Sequence, residues 1–494
     1  MPERPPDLAV LHVSQPDHGG VAAYVAQAAH DQARRGWRVA VACPPDGPLA
    51  ARLRELEVAS FPWPARRSPG PHLLGEAWRL RRIIDRFDPR VVHLHSAKAG
   101  LAGRLPGVAS GRGVVFQPHG WSWLAATGAQ RSLSRWWERR SAARADTVVC
   151  VGSGELQEGR RAGVHGTFHL VRNGVDLRRF RPCPPEGRRE ARAALGLPPD
   201  ARLAVCVGRL TRQKGQDVLL RAWPAVRARC PRAWLALVGD GDAHDQLRSQ
   251  AGPGVLFAPG VPDPRRWLAA SDVVVLPSRW EGLPLVALEA MAVGRSVVAS
   301  AIPGLVEVVP SGAGVLVPVA DPAELAGAVA ARLADPELAD AEGAAAAEAS
   351  GAFDVEATLS LLAEVTRGVA GGVTGGVGAG AADGVGVAGL SAGCSGGAST
   401  GVGAGAGSAE GGAPAAEAVG VSAGGGGVSG GVVGAGVPGS GLGSGDGTGE
   451  GASCEAEGCE VGAGGPAVPL AQPAAVAGGD EGVSGNPLPP NSLR

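Results

Sequence analysis

LAVLHVSQPDHGGVAAYVAQAAHDQARRGWRVAVAC, residues 8–43, is the stretch on which the fold is read. LAVLHVS (8–14) and RVAVAC (38–43) are apolar runs of strand length. Between them, VAAYVAQAAHDQARR repeats apolar side chains at three- and four-residue spacing, the period of a helix that buries one face. Strand, helix, strand in this order is a βαβ unit, and it predicts a parallel sheet.

The same alternation continues along the chain. VASF (58–61), RVVHLH (90–95), VVFQP (114–118) and DTVVCV (146–151) are further strands, and HLLGEAWRLRRIIDRF is a second amphipathic helix. The pattern then restarts with LAVCVG (203–208), AWLALVG (233–239), GVLFAP (254–259), DVVVLP (272–277) and SVVAS (296–300), separated by helices near 215–229, 242–250, 264–270 and 284–293. Between the halves, VRNGVDLRRFRPCPP (171–185) carries an Asn-Gly turn and a proline cluster that disfavour continued helix or sheet, so it reads as a hinge. The expectation is an α/β protein of two facing Rossmann-like domains, residues 1–172 and 173–367, with a cleft between them and a helix near 353–366 crossing back. Ligands of such sheets bind beyond the carboxyl ends of the strands.

Composition separates a third region. The 494 residues carry a formal charge of −1, which is the sum of +8 before residue 368 and −9 after it. Residues 368–494 hold 43 of the 79 Gly and none of the 19 aromatic residues. Backbone ordering costs about 1 to 2 kcal/mol per residue, and Gly, Ala, Ser and Val offer little to offset it, so a disordered, acidic, low-complexity tail is expected. No secretory signal and no spanning segment are read in the chain, which points to the cytoplasm. Cys150 and Cys206 lie inside apolar runs and read as small buried hydrophobes; Cys454 and Cys459 lack companion ligands for zinc.

Two nucleotide motifs fail. SQPDHGG after the first strand is not GxGxxG, and GRLTRQKG (208–215) has Gln213 and Gly215 where a P-loop needs Gly and Ser/Thr. PSRWEGLPLVALEAMAVG (277–294) is more informative. Pro284 suits the first turn of a helix, which places Glu281 in the loop before it and Glu289 about one turn inside. Free N–H groups around Leu285 to Ala287 would bind phosphate, and ionised carboxylates accept hydrogen bonds from sugar hydroxyls. Together these suggest a nucleotide-sugar; two solvated glutamates at an ordinary helix start is the other reading of this stretch taken alone.

The EGLP…LEAMA segment resembles that of the retaining glycosyltransferases of family 4, the glycosyl transferases group 1, which have the GT-B fold. HGGV (18–21), PHG (118–120), NGVD (173–176), VGRLTRQKG (207–215), VGDG (238–241) and GLVEVV (304–309) follow in that family's order. The resemblance implies transfer of a hexose from a UDP- or GDP-sugar to a hydroxyl acceptor, without a metal or other cofactor. It places Arg209 and Lys214 on the donor diphosphate, Glu281 on the hexose, Glu289 on the ribose and His119 near the transferred sugar. Gly282, Leu283, Pro284, Leu285 and Val286 would line the donor, and Gly19 and Gly20 would let backbone approach its phosphate or the acceptor. Independently of the family, two cations on one strand-to-helix loop can neutralise charge growing on a leaving diphosphate. A nucleotide-sugar 2-epimerase or sugar phosphorylase on the same fold, and a non-catalytic nucleotide-sugar-binding protein, are the alternatives. Asp240 and Asp242 form a DxD, the pattern of a metal site in another glycosyltransferase fold, but here VGDG is expected to be a strand-end turn.

On the acceptor side, Trp63 with Arg66 and Arg67, Trp121 and Trp123 beside His119, and RSLSRWWERRSAAR (131–144) mix aromatic and basic residues. Such mixtures suit a peripheral membrane contact or a lipid-linked acceptor; alternatively Trp136 or Trp137 packs on the sheet under solvated arginines. The +8 is too diffuse to indicate nucleic acid.

Overall fold

A computed structural model describes residues 8–68 and 70–372; the expectations for 373–494, including Cys454 and Cys459, lie outside the described residues. Seven parallel strands form the first sheet in the order β3-β2-β1-β4-β5-β6-β7. They are β1 (Ala9–Ser14), β2 (Arg38–Cys43), β3 (Ala59–Pro62), β4 (Val91–His95), β5 (Gly113–Gln117), β6 (Thr147–Cys150) and β7 (Phe168–Leu170). Six more form the second, also parallel, in the order β10-β9-β8-β11-β12-β13. These are β8 (Arg202–Val207), β9 (Ala233–Val238), β10 (Val255–Ala258), β11 (Val273–Leu276), β12 (Ser296–Ser300) and β13 (Gly314–Val317).

Both faces of the first sheet are covered, as parallel sheets require. Successive strand residues point to opposite sides, so Leu11 and Val92 meet Leu80 and Ile84 of the helix Leu73–Phe87 on one face. Val10 and Val91 meet Leu359, Leu362 and Val365 on the other. Those three belong to the helix Val355–Gly372, which crosses back from the second half of the chain. Burying each such side chain is worth about 1.5 to 3 kcal/mol, so the helix ties the second half to the first sheet. It runs past the expected boundary at residue 367, and Ala370 is buried in the same cluster.

The two crossings of the chain lie side by side. Val175 N–H donates to Phe353 O at 2.8 Å, Val355 N–H to Val175 O at 3.1 Å, and Thr358 Oγ1 to Arg172 O at 2.9 Å. A Cβ on Gly174 would lie 2.5 Å from Val355 Cα, so the Asn-Gly pair is there for close approach between crossings. The segment read as a hinge is thus half of a double connection. Cys150 and Cys206 are buried as expected. No described helix is long and apolar enough to cross a membrane.

Candidate functional site

Each sheet reverses its strand order once, between β1 and β4 and between β8 and β11. Loops leaving neighbouring strands diverge at such a point and open a crevice. The segment after β8 carries Arg209 and Lys214, the loop after β11 carries Glu281, and the helix that follows β1 opens on Gly19 and Gly20. Chain reversal thus delivers these residues to the crevice mouths.

Glu281 organises the second-sheet side. Its Oε1 accepts from Lys214 Nζ at 2.6 Å and from Ser278 Oγ at 2.8 Å, and its Oε2 accepts from Gln213 Nε2 at 3.3 Å. Gln213 Oε1 in turn accepts from Arg209 Nη2 at 3.2 Å. Arg209, Gln213, Glu281 and Lys214 therefore form one connected array. Burial, followed by the charge of Arg67, draws the Arg209 guanidinium below its ordinary value, although an arginine remains cationic at any working pH. The pair with Glu281 occupies one of the three Lys214 protons, leaving two for a ligand.

Pro284 is not in the first turn, as its N1 preference suggested, but is the extended N-cap of the helix Leu285–Ala292. Ala287 N–H already donates to Pro284 O at 3.1 Å, so it is not available for phosphate. The Leu285 and Val286 N–H groups head this helix without a side-chain cap. Across from them the helix Gly19–Arg34 also begins uncapped, after His18. A Cβ on Gly20 would stand 3.6 Å from Leu285 Cδ1, so the two helix starts are close, and each concentrates positive partial charge.

Glu289 lies one turn along, partly buried, and is not joined to the Glu281 array. Burial pushes its carboxyl up to about 7, the nearby Arg179 charge works against this, and Asp263 reinforces it. If this carboxylate holds ligand hydroxyls, the donor KM should fall as pH rises through about 7, because only the ionised form accepts from both groups of a diol. Glu289→Gln should flatten that part of the profile and raise the donor KM about tenfold. Steady-state kinetics between pH 5.5 and 8.5, on about a half-unit grid around the Glu289 value, would check it; an unchanged profile in the variant contradicts the role.

His119 follows β5 with φ 52°, a left-handed conformation costly for a residue with a Cβ. Its ring is half-buried, Nε2 lies 3.0 Å from His95 Nδ1, and Tyr24 meets it edge-on at 5.1 Å. Burial pushes its pKa down to about 3, so the ring is neutral at working pH. The strained loop is fastened by Glu155, which accepts from Gly120 N–H and, at 2.8 Å, from Val151 N–H, while its carbonyl accepts Trp121 Nε1 at 2.7 Å. Glu155 was not read from the sequence, where it looks like an ordinary first-turn acid.

Several glycines and tryptophans act otherwise than expected. A Cβ on Gly304 would fall 2.0 Å from Gly282 O, and one on Gly282 would fall 2.9 Å from Val151 Cγ2. Gly304 therefore serves close backbone packing, and Gly282, expected to line the donor, packs against the first-sheet side. Nearby, Glu307 accepts from Ser153 N–H at 2.6 Å, Ser153 Oγ at 2.7 Å and Arg172, while Asn173 Nδ2 donates to Leu283 O at 2.6 Å. The Asn173 bond pins the EGLP turn, and the Glu307 bonds pin the segment after β12, to the first-sheet half. Trp63, Trp121 and Trp123 are buried, the last two stacked at 4.6 Å, so they are core and not acceptor surface. Trp136 is 57% exposed, while Trp137 is half-buried. Asp240 Oδ2 accepts Gly260 N–H at 2.8 Å, closing the turn after β9.

Residues 18–179 match the family model described as Glycosyltransferase Family 4, and residues 201–335 match that of Glycosyl transferases group 1. The chain is 34% identical over 359 residues to the D-inositol 3-phosphate glycosyltransferase 1 of Catenulispora acidiphila, covering 65% of this chain and 84% of that protein. It is 35% identical over 292 residues, 54% of this chain and 74% of the relative, to the GDP-mannose-dependent alpha-(1-6)-phosphatidylinositol monomannoside mannosyltransferase of Mycolicibacterium smegmatis. Its fold matches the crystal structure of Anabaena HepE in complex with UDP-glucose with a TM-score of 0.64 at 22% identity, over 73% of this chain and 99% of that one. The two parallel sheets are those of the GT-B fold.

Proposed function

From a chain that belongs to glycosyltransferase family 4, the group 1 glycosyltransferases, we propose a retaining, metal-independent transfer of a hexose from a UDP- or GDP-sugar to a hydroxyl acceptor. The observation that carries this is the array Arg209–Gln213–Glu281–Lys214 set beside two uncapped helix starts. A diphosphate there meets two cations and free N–H groups, and its leaving oxygen gains charge where that charge is best compensated. The C1–O bond to the diphosphate breaks as the acceptor oxygen bonds to C1 on the same face. The acceptor proton passes to the leaving phosphate. Glu281, itself held by Lys214 and Ser278, positions the hexose and supports the charge that develops on it; Glu289 holds the ribose. Both relatives named above act on inositol-containing acceptors by their names, which supports a polyol or lipid-linked polyol as acceptor here.

The charge compensation assigned to Arg209 and Lys214 makes a divalent ion unnecessary. Turnover of a UDP- or GDP-hexose should therefore continue in excess chelator, and a strict requirement for manganese would contradict the proposal.

A peripheral membrane contact is proposed on the first-sheet side. Leu74 and Trp78 on the helix Leu73–Phe87 are 74% and 59% exposed, and Leu133 and Trp136 on the helix Gly128–Ser141 are 62% and 57% exposed. Arg79, Arg82, Arg86, Arg131, Arg139 and Arg140 are exposed on the same two helices. Each basic residue near an anionic surface is worth about 1 kcal/mol. The protein should float with vesicles containing phosphatidylglycerol and not with pure phosphatidylcholine. Trp78→Ala with Trp136→Ala should weaken this binding; equal behaviour towards both vesicles would sink the idea.

A further inference from the structure

Beneath the crevice of the first sheet, four side chains stand in a file. Gln32 Oε1 lies 2.9 Å from His12 Nε2, His12 Nδ1 lies 2.9 Å from His95 Nε2, and His95 Nδ1 lies 3.0 Å from His119 Nε2. Gln32, His12 and His95 are fully buried. They come from the helix Gly19–Arg34, from β1 and from β4, the two strands between which the sheet reverses. The buried His93 stacks on His95 at 4.0 Å.

A neutral imidazole has one N–H and one lone pair, so the file has a direction. Gln32 presents Oε1, an acceptor, and His12 must carry its proton on Nε2. Its Nδ1 is then a lone pair that needs a donor, which puts the His95 proton on Nε2. His95 Nδ1 is left as a lone pair and takes the Nε2–H of His119. Each bond fixes the next. The remaining nitrogen, His119 Nδ1, has no hydrogen-bond partner among the described residues and is not sealed from solvent. Neutrality is secured by burial, which draws His12 down to about 4 and His93 and His95 well below their ordinary values.

We propose that Gln32, His12 and His95 are positioning residues: they hold His119 as its Nε2–H tautomer, so that Nδ1 accepts a hydrogen bond from a hydroxyl of the transferred hexose. The hexose rests on the glycosyl-transfer reading above, whereas the tautomer does not. Nitrogens of His12, His93 and His95 also come within 4.8 Å of one another. A divalent ion there would have to break the His12–His95 bond. It would also bury charge without a counter-ion, since the histidines are shifted by burial, by one another and by the Gln32 and Gln117 amides, not by a carboxylate.

Long-range proton–nitrogen NMR correlation on the full chain labelled with 15N-histidine reads each ring nitrogen as protonated or not, and His119→Gln identifies the His119 signals. The expected result is a bare Nδ1 and a protonated Nε2 on His119. Gln32→Leu, which removes the acceptor at the end of the file, should scramble that tautomer. Gln32→Leu should also lower donor kcat/KM about five- to tenfold and cost nothing further in a His119→Ala background. A purely structural role for Gln32 would lower Tm while leaving the tautomer intact. Fluorine in place of the contacted hexose hydroxyl, which cannot donate, should slow wild type more than it slows His119→Ala. A protonated His119 Nδ1, an unmoved tautomer in Gln32→Leu, a bound equivalent of metal, or an equal effect of fluorine on wild type and His119→Ala at every hexose position would overturn the proposal. An enzyme inert towards all nucleotide-sugars, with the tautomer as stated, would instead defeat only the functional reading.

Discussion

Lys214→Ala is expected to lower donor kcat/KM by about 10²- to 10³-fold, the loss that follows removal of one preorganised group aimed at developing charge, about 3 to 4 kcal/mol. The effect has two parts. The ammonium that meets the diphosphate is gone, and Glu281, whose Oε1 now accepts it at 2.6 Å, is left as a poorly compensated carboxylate beside an anionic ligand. Lys214→Arg should recover little, because a planar fork cannot reproduce a point charge in the space lined by Ser278 and Gln213. A single-turnover assay separates the two parts: the chemical step should slow more than donor binding weakens. Wild-type turnover in Lys214→Ala would remove the lysine from the mechanism.

Gly304→Ala should have the second largest effect, through a different cause. The added methyl would fall 2.0 Å from Gly282 O, a backbone atom that cannot swing away. Overpacking of this kind costs about 1 to 3 kcal/mol, and the strain falls on the turn that carries Glu281. Both Tm and kcat should drop, and loosening of the EGLP turn should be visible as faster amide exchange at Gly282, Leu283, Leu285 and Val286. Were Gly304 instead a point of ligand approach, Tm would hold and only the donor KM would rise.

Most of the fold was legible because it rests on local periodicity. Residues 8–43 alternate strand and helix periods with little ambiguity, and nine further strands follow the same signal. Two strands did not announce themselves. β7 is three residues long and partly exposed at the sheet's edge, and β13 opens on a glycine, so neither builds an apolar run long enough to read. The charged residues of the candidate site could be picked out by type and order, yet their partnership could not. Glu281 and Lys214 are 67 positions apart, and only the strand reversal between β8 and β11 brings them together. Glu155, Glu307 and the file from Gln32 to His119 escaped for the same reason, each being defined by a partner distant in sequence. Trp63 misled because Arg66 and Arg67 follow it, and Trp121 and Trp123 because they follow His119, whereas all three face the sheet.

The most direct measurement is the anomeric configuration of the product. With the best-bound UDP- or GDP-hexose, an accepted polyol and excess chelator, proton NMR of the new glycoside should show the donor's anomeric configuration preserved. An inverted centre, or transfer that appears only when a divalent metal is restored, would contradict the account.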